Sequence, residues 1–265
     1  MRTLLTLLLS ISLSNTALAG NSVYLEQIGT STDTTVNIDI DGNNNSINLS
    51  MEGTGNELDF KQEGNNNTIS WVSYWGSGKV WGGDIDGNNN TLKFEQYNTT
   101  GSDSNKIGFH MLGNSNELHV CQGATFSSST DTTCSGTTPN SEYGGHTVNL
   151  DVHANGNSIK VGQETGTGNA DHYAQIYYFG GDNNDTFLTQ KGNANKTLNM
   201  IVRTDGGEQE LMQKGDGAHT ATIDLTGSYH TDMTMTQQGN TAQSYSLTQN
   251  CQTSGGCSVS VTQGN

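Results

Sequence analysis

The stretch "GNNNSINLSMEGTGNELDFKQEGNNNTISW", residues 42–71, repeats one short phrase almost three times. Each phrase has a Gly, an Asn-rich segment, alternating apolar residues, and then Glu or Gln before the next Gly. Gly42, Gly53 and Gly64 follow one another at equal intervals. Self-similarity at a fixed period is typical of stacked repeat architectures. The sequence therefore favours a repeating unit over an ordinary globular core.

Within each unit, apolar residues alternate with polar ones. Ile47, Leu49 and Met51 occupy every second position, and so do Leu58 and Phe60 in the next unit. A period of two indicates a half-buried strand, whereas a helix would repeat every 3.6 residues. Gly and Asn supply the positive φ angles that tight corners need. A unit of about 11 residues therefore predicts one strand and one corner, and two units predict a coil of about 22 residues.

The fold expected from this unit is all-β: a β-solenoid with two strands per coil, stacked as an amyloid-like cross-β array. One coil cannot bury its own inward face, so neighbouring coils must cover it. Hydrophobic residues make up 31% of the chain and charged residues 14%, with 34 Gly and 1 Pro. Because this composition leaves a thin apolar core, we expect stacked side-chain amides to add cohesion between coils.

Amide side chains recur at equivalent positions of the units and are the candidate ladder and assembly residues. A lone buried amide would leave polar groups unpaired, whereas in a column each amide donates to the next. The glutamines share the parity of the inward apolar residues; the alternative is that they face solvent. The set comprises Gln27, Gln62, Gln96, Gln122, Gln163, Gln190, Gln213, Gln237, Gln249, Gln263, Asn45, Asn56, Asn67, Asn90, Asn105 and Asn116.

Residues 1–19, "MRTLLTLLLSISLSNTALA", have the features of a signal peptide. Arg2 precedes a mostly apolar run from Leu4 to Leu13, and residues 17–19 read Ala-Leu-Ala, a small-residue cleavage site. The run is too short to span a membrane as a helix. We expect cleavage after Ala19 and a secreted, extracellular protein. Residues 20–265 are then expected to form one repeat domain without a membrane span.

Four cysteines fall into two sequence-local pairs, Cys121/Cys134 and Cys251/Cys257. Export to an oxidising compartment favours disulfides, and among three connectivities the local one brackets a loop with each pair. A zinc site is the alternative, but the spacings match no zinc pattern. The formal net charge of −16 argues against nucleic-acid binding, which depends on Lys and Arg.

Several phrases share the arrangement Q-x-G or a close variant. They are "LEQIG" (25–29), "LTQKGNAN" (188–195), "LMQKGDGAH" (211–219), "MTQQGNTAQ" (235–243) and "VTQGN" (261–265). This resembles the curlin repeat of curli fibre subunits, whose pattern runs roughly S-x5-Q-x-G-x2-N-x-A-x3-Q. Gln237, Gly239, Ala242 and Gln249 fit parts of that pattern. The cysteines and the G-N-N-N corners of the N-terminal half depart from it, so the chain resembles a divergent member.

The resemblance implies secretion across the outer membrane and assembly into extracellular fibres that serve adhesion and biofilm matrix. Expected partners are other copies of the chain, with a secretion channel and a nucleator as further candidates. The repeat extends from Val23 to Gln263, so open strand edges at both ends are expected to template head-to-tail assembly. No cofactor is expected, and no G-x-S-x-G elbow or His–carboxylate cluster suggests an enzyme.

The alternative function is a monomeric or phage-encoded adhesin that binds a cell-surface or glycan partner. Its candidate regions are a Trp-rich segment, residues 71–85, and an inserted Ser/Thr-rich loop, residues 124–144. Exposed aromatic rings can bind sugars or partner surfaces, although the same rings can also fill a wide coil. The candidate binding aromatics are Trp71, Tyr74, Trp75 and Trp81. The repeated "DIDGNNN", residues 39–45 and 84–90, lacks the spacing of an EF-hand calcium loop.

Overall fold

The structure is a computed structural model of the 265-residue chain. It describes side chains and backbone for residues 22–24, 115–131, 134, 145–166, 170–178 and 180–264, and the backbone of further strands between Leu8 and Leu112. This part of the chain is all-β and contains no helix. Accordingly, the described residues include no helix long and apolar enough to cross a membrane.

The described strands form two parallel sheets. Sheet A contains β1 (Leu8–Leu13), β3 (Thr35–Ile40), β5 (Glu57–Gly64), β8 (Thr91–Asn98), β11 (Glu117–Gln122), β13 (Ser158–Glu164), β15 (Asp185–Lys191), β17 (Glu208–Lys214), β19 (Thr231–Gln237) and β21 (Cys257–Gln263), in that order. Sheet B contains β2 (Ser22–Gln27), β4 (Ser46–Glu52), β6 (Thr68–Ser70), β7 (Ile85–Asp86), β9 (Lys106–Gly108), β10 (Met111–Leu112), β12 (Thr147–Asn149), β14 (Tyr173–Ile176), β16 (Thr197–Val202), β18 (Thr220–Gly227) and β20 (Ser244–Cys251).

Two pairs of short strands in sheet B each act as one interrupted strand. β4 pairs with β6 at its start, through Ser46 and Thr68, and with β7 near its end, through Met51 and Ile85. β9 pairs with β6, and β10 pairs with β7, in the same way. Counted so, the described strands from Ser22 to Gln263 form nine coils, each with a sheet B strand followed by a sheet A strand. The prediction of a β-solenoid with two strands per coil is confirmed.

The coils are longer towards the C-terminus than the sequence period indicated. Thr35 pairs with Glu57, a step of 22 residues that equals the expected coil length. Gln190 and Gln213 are paired at a step of 23 residues. The next two steps of this register, to Gln237 and then to Gln263, are 24 and 26 residues. The register within the strands is unbroken, so the additional residues lie in the corners.

The apolar core runs along the inside of the stack. In β16 every second residue is buried, and Leu198, Met200 and Val202 are fully buried. Leu211 of β17 belongs to the same cluster, so both sheets of the coil contribute to it. Burial of alternate positions is the result expected of strands with one face inward.

Corner glycines permit the coils to stack closely. Gly192 has a φ of +132°, a conformation that L side chains rarely adopt. A Cβ atom at this position would lie 2.0 Å from the Gly215 carbonyl oxygen of the next coil. Glycine is therefore required here both by the backbone angle and by the distance between coils.

The N-terminal segment and the two insertions are only partly described. Residues 1–19, expected to be a signal peptide, contain β1, which pairs in parallel with β3. Most of the Trp-rich segment, including Trp71, Tyr74, Trp75 and Trp81, lies outside the described residues. Of the inserted loop, only residues 124–131 and 134 are described. Among the described strands of sheet A, β1 is thus the outermost on the N-terminal side.

Candidate functional site

A column of hydrogen-bonded glutamines runs along sheet A. Each Nε2 donates to the Oε1 of the glutamine in the next coil, and all members but the last are fully buried. The contacts are Gln122 to Gln163 (3.2 Å), Gln163 to Gln190 (2.8 Å), Gln190 to Gln213 (2.8 Å), Gln213 to Gln237 (2.8 Å) and Gln237 to Gln263 (2.8 Å). We call this set the glutamine ladder.

The glutamine ladder also joins the two sheets. Besides its partner in the next coil, the Gln190 Nε2 donates to the main-chain oxygen of Tyr173 in sheet B, at 2.9 Å. Gln213 makes the same contact with Thr197 at 3.1 Å. The two amide hydrogens and the oxygen are thereby all paired, which removes the cost of burying a polar group. Backbone register continues the column to Gln96 and Gln62.

Two predicted members of the ladder lie elsewhere. Gln27 is in β2 of sheet B, where its register partner is Met51. Gln249 is in β20 of sheet B, where its register partner is Leu225. The expectation of a single column therefore fails for these two glutamines. Their inward parity did not reveal the difference, because strands of both sheets share the same alternation.

A second ladder, made of asparagines, occupies the corner that precedes the sheet A strands. Asn116 is buried, and its Oδ1 accepts a hydrogen bond from the Asn157 backbone N–H at 3.0 Å. The Asn157 Oδ1 accepts from the Asn184 N–H at 2.8 Å. Sequence reasoning missed Asn157 and Asn184, although each immediately precedes a strand, as Asn116 does. The predicted asparagines at 45, 56, 67, 90 and 105 lie outside the described residues.

The opposite corner, before the sheet B strands, carries four buried basic side chains: His146, His172, Lys196 and His219. The His146 and His172 rings stack with their centroids 4.8 Å apart. The His172 backbone N–H donates to the His146 Nδ1 at 3.2 Å, and the Lys196 N–H donates to the His172 Nδ1 at 3.3 Å. The His172 Nε2 donates to the Glu164 main-chain oxygen at 3.1 Å. His172 is therefore a neutral imidazole, since one nitrogen accepts and the other donates.

Burial disfavours the charged form of all four groups. It lowers the pKa of His172 to about 3. Burial lowers the pKa of His146 well below its ordinary value, and electrostatic repulsion by the nearby His172 adds to this shift. Burial also lowers the pKa of His219, and it lowers the pKa of Lys196 to about 8, with a partial opposing effect of Asp216. We call these four residues the histidine column. Sequence reasoning missed it, although the steps between its members equal the coil length.

Both sequence-local cysteine pairs are disulfide-bonded. Cys121 in β11 is joined to Cys134, beside the small cluster that contains Phe126 and Phe187. Cys251 and Cys257 are joined across the corner between β20 and β21. The second bond therefore closes the corner of the last described coil, which we call the terminal coil (β20 and β21).

Removing the Cys251–Cys257 bond should loosen the terminal coil. In the chain-entropy account, a disulfide closing so short a loop contributes about 2 kcal/mol. In Cys251→Ser/Cys257→Ser, we expect the amides of β20 and β21 to exchange hydrogen about 30-fold faster, measured by mass spectrometry. The matched control, Cys121→Ser/Cys134→Ser, should leave the exchange of these amides unchanged. Equal exchange in the two double variants would contradict a stabilising role for the bond in this corner.

The terminal coil exposes part of its inward surface. Ala221, Ile223 and Met235 are buried in the preceding coil, but the register partners of these residues, Tyr245, Leu247 and Val261, are only half-buried. β20 and β21 contain no charged residue, in a chain whose net charge is −16. Within the described part of the chain, the terminal coil therefore has one strand edge without a partner in each sheet, together with an uncharged, partly apolar surface.

The described residues contain no arrangement typical of a metal site. No group of three or more His, Cys, Asp or Glu side chains among them is placed to hold a metal ion. The features that the described residues do bring together are the two amide ladders, the histidine column and the open face of the terminal coil.

Comparison of the chain with protein-family models, curated proteins and solved structures finds no match.

Proposed function

We propose that the protein is a secreted structural subunit that assembles head-to-tail into extracellular amyloid-like fibres. The observation that carries this proposal is the open face of the terminal coil, where the inward columns of the solenoid change from buried to half-buried. Unpaired N–H and C=O groups on a strand edge can be satisfied by another strand. A further coil of the same kind would cover both the edge and the apolar side chains.

The internal stacking of the chain supports the same function. Neighbouring coils already associate through parallel strands, apolar columns and the glutamine ladder. The chemistry that joins two coils within one chain can therefore join two chains. Adhesion and biofilm matrix are the roles that we propose for the fibre, by analogy with the curlin family that the repeat resembles.

The proposed removal of the signal peptide bears on the other end of the stack. While residues 1–19 are present, β1 pairs along the whole of β3. Cleavage after Ala19 would remove β1 and leave β3 as the outer strand of sheet A. The outermost described strands would then be β2 and β3 on one side of the stack and those of the terminal coil on the other.

Fibre formation is tested with purified mature protein, residues 20–265, incubated at neutral pH. We expect thioflavin fluorescence to rise with time, and fibres to give X-ray reflections at about 4.7 Å and about 10 Å. The precursor that retains residues 1–19 should assemble more slowly, because its β3 edge is already paired. A mature protein that stays monomeric by light scattering over weeks would refute the fibre proposal and favour the monomeric adhesin.

A further inference from the structure

We infer that docking between subunits sets Gln249 of one copy against Gln27 of the next, forming an amide pair that exists only at the junction. This inference rests on the proposed head-to-tail assembly and specifies its register. The partner that it names is a second copy of this chain, with β2 of that copy on β20 and β3 on β21.

Gln27 and Gln249 occupy the same column of sheet B. In β2 the first residue that pairs with the next strand is Ser22, and Gln27 lies five residues after it. In β20 the first paired residue is Ser244, and Gln249 likewise lies five residues after it. Towards the N-terminus the column continues from Gln27 to Met51, Ile85 and Met111. Towards the C-terminus it reads Val202, Leu225 and Gln249. The two glutamines thus stand at the two ends of a column whose neighbouring members are apolar.

Among the described strands, neither glutamine has a glutamine or asparagine as its register partner in this column. Gln249 is half-buried, its register partner Leu225 is fully buried, and the Gln249 side chain makes no hydrogen bond within the described part of the chain. A further coil with an apolar residue at this position would bury the Gln249 amide without a partner, at a cost. A coil with glutamine there would pair it, as the amides of the glutamine ladder are paired.

The order of the strands allows this docking without a break. The terminal coil ends with β21 of sheet A, and β2, the first strand after the proposed cleavage site, belongs to sheet B. Docking therefore preserves the alternation of the sheets. In sheet A, the same register places Gln263 against Ile40, the position that pairs with Gln62 within the chain. Gln263 already accepts from Gln237 and donates to the Ser244 main-chain oxygen at 3.1 Å, so Ile40 leaves only one of its amide hydrogens unpaired. The amide contact at the junction consequently lies in sheet B rather than in the glutamine ladder.

The charges are compatible with the same register. β2 contains Glu26 and β3 contains Asp39, whereas β20 and β21 contain no charged residue. In the inferred docking Glu26 falls against Thr248, and Asp39 against Thr262. Directly opposed like charges destabilise neighbouring strands, and the junction contains none. In an acidic chain this absence favours self-association.

A matched set of variants tests the amide pair. In Gln249→Leu or Gln27→Leu alone, one amide is buried against leucine, and we expect the monomer concentration in equilibrium with fibres to rise about tenfold. In Gln27→Leu/Gln249→Leu the junction becomes apolar on both sides, and this concentration should return to within about twofold of the unmodified protein. Far-UV circular dichroism of each monomer checks that it is folded. Additive effects in the double variant, or no effect in the single variants, would overturn the inferred pair.

Cross-linking tests the register independently. Gln27→Cys and Gln249→Cys proteins are mixed in equal amounts, assembled and mildly oxidised. Directly paired positions lie about 4.8 Å apart, within the range for a disulfide, so links between positions 27 and 249 are expected by mass spectrometry. Mixing Gln27→Cys with Leu247→Cys is the control, because a shift of two residues places the Cα atoms beyond about 7 Å. Fibres that give only 27–247, 27–27 or 249–249 links overturn the junction and leave the fibre proposal standing, whereas the absence of any fibre refutes both.

Discussion

Lowering the pH from 7 to 4 should destabilise the solenoid by about 3 kcal/mol through His172, with a further loss of the same sign from His146. Both rings are buried, and burial lowers the pKa of His172 to about 3. The unfolded chain binds these protons near the ordinary histidine pKa of 6.5. Between these values the unfolded state holds more protons than the folded state, so stability falls as the pH falls. For His172 the expected slope between pH 6 and pH 4 is about 1.4 kcal/mol per pH unit.

Urea unfolding followed by circular dichroism at pH 7, 6, 5 and 4 measures this loss. The matched control is His146→Asn/His172→Asn, because asparagine can accept the backbone N–H of the next coil, as the Asn157 Oδ1 does from Asn184. The control retains every carboxylate of the acidic chain but loses the two titrating rings. Its stability should therefore change much less over the same pH range. Parallel pH profiles for the two proteins would show that the histidine column does not govern acid sensitivity.

Replacing Gln190 with leucine should lower the free energy of unfolding by about 3 kcal/mol. Gln190 sits in the middle of the glutamine ladder, where it donates to Gln213 and to the Tyr173 main-chain oxygen and accepts from Gln163. Leucine fills similar space but leaves amide groups of Gln163 and Gln213 without their partner. Each buried polar group left unpaired costs about 1–3 kcal/mol. The shift in the urea midpoint at pH 7 measures the effect.

Gln263→Leu is the position-matched control for Gln190→Leu. Gln263 is the last member of the same ladder, so its replacement leaves one amide, that of Gln237, without a partner, whereas Gln190→Leu leaves two. Gln263→Leu should therefore cost about half as much as Gln190→Leu. A Gln190→Leu protein as stable as the unmodified chain would mean that apolar packing alone holds the coils together.

Most of the fold could be predicted from the repeat period of the sequence. Alternation such as Ile47, Leu49, Met51 reports which face of a strand is inward, because that choice depends on hydrophobic burial alone. It does not report the sheet to which a strand belongs, and Gln27 and Gln249 were therefore assigned to the wrong column. The period of the sequence also underestimated the lengths of the corners. Residues can be added to a corner while the strands on either side keep their register, so the strand pattern does not report them.

The histidine column shows where local reasoning from the sequence was insufficient. His146 and His172 are 26 residues apart, and only the coil length makes them neighbours. Without that length, nothing in the sequence around either residue indicates that they are in contact. The asparagine ladder was found in part, because Asn116 lies beside a strand whose pattern is clear. Polar residues in a solenoid are best compared at intervals of one full coil.

The interrupted strands of sheet B also matter for the diversification of this architecture. β6 ends at Ser70 and β7 begins at Ile85, and β7 continues along β4 the pairing that β6 began. An insertion placed there adds sequence without adding a coil. Natural variation or peptide grafting between these two points could thus give the protein a new surface specificity while its scaffold stays the same length.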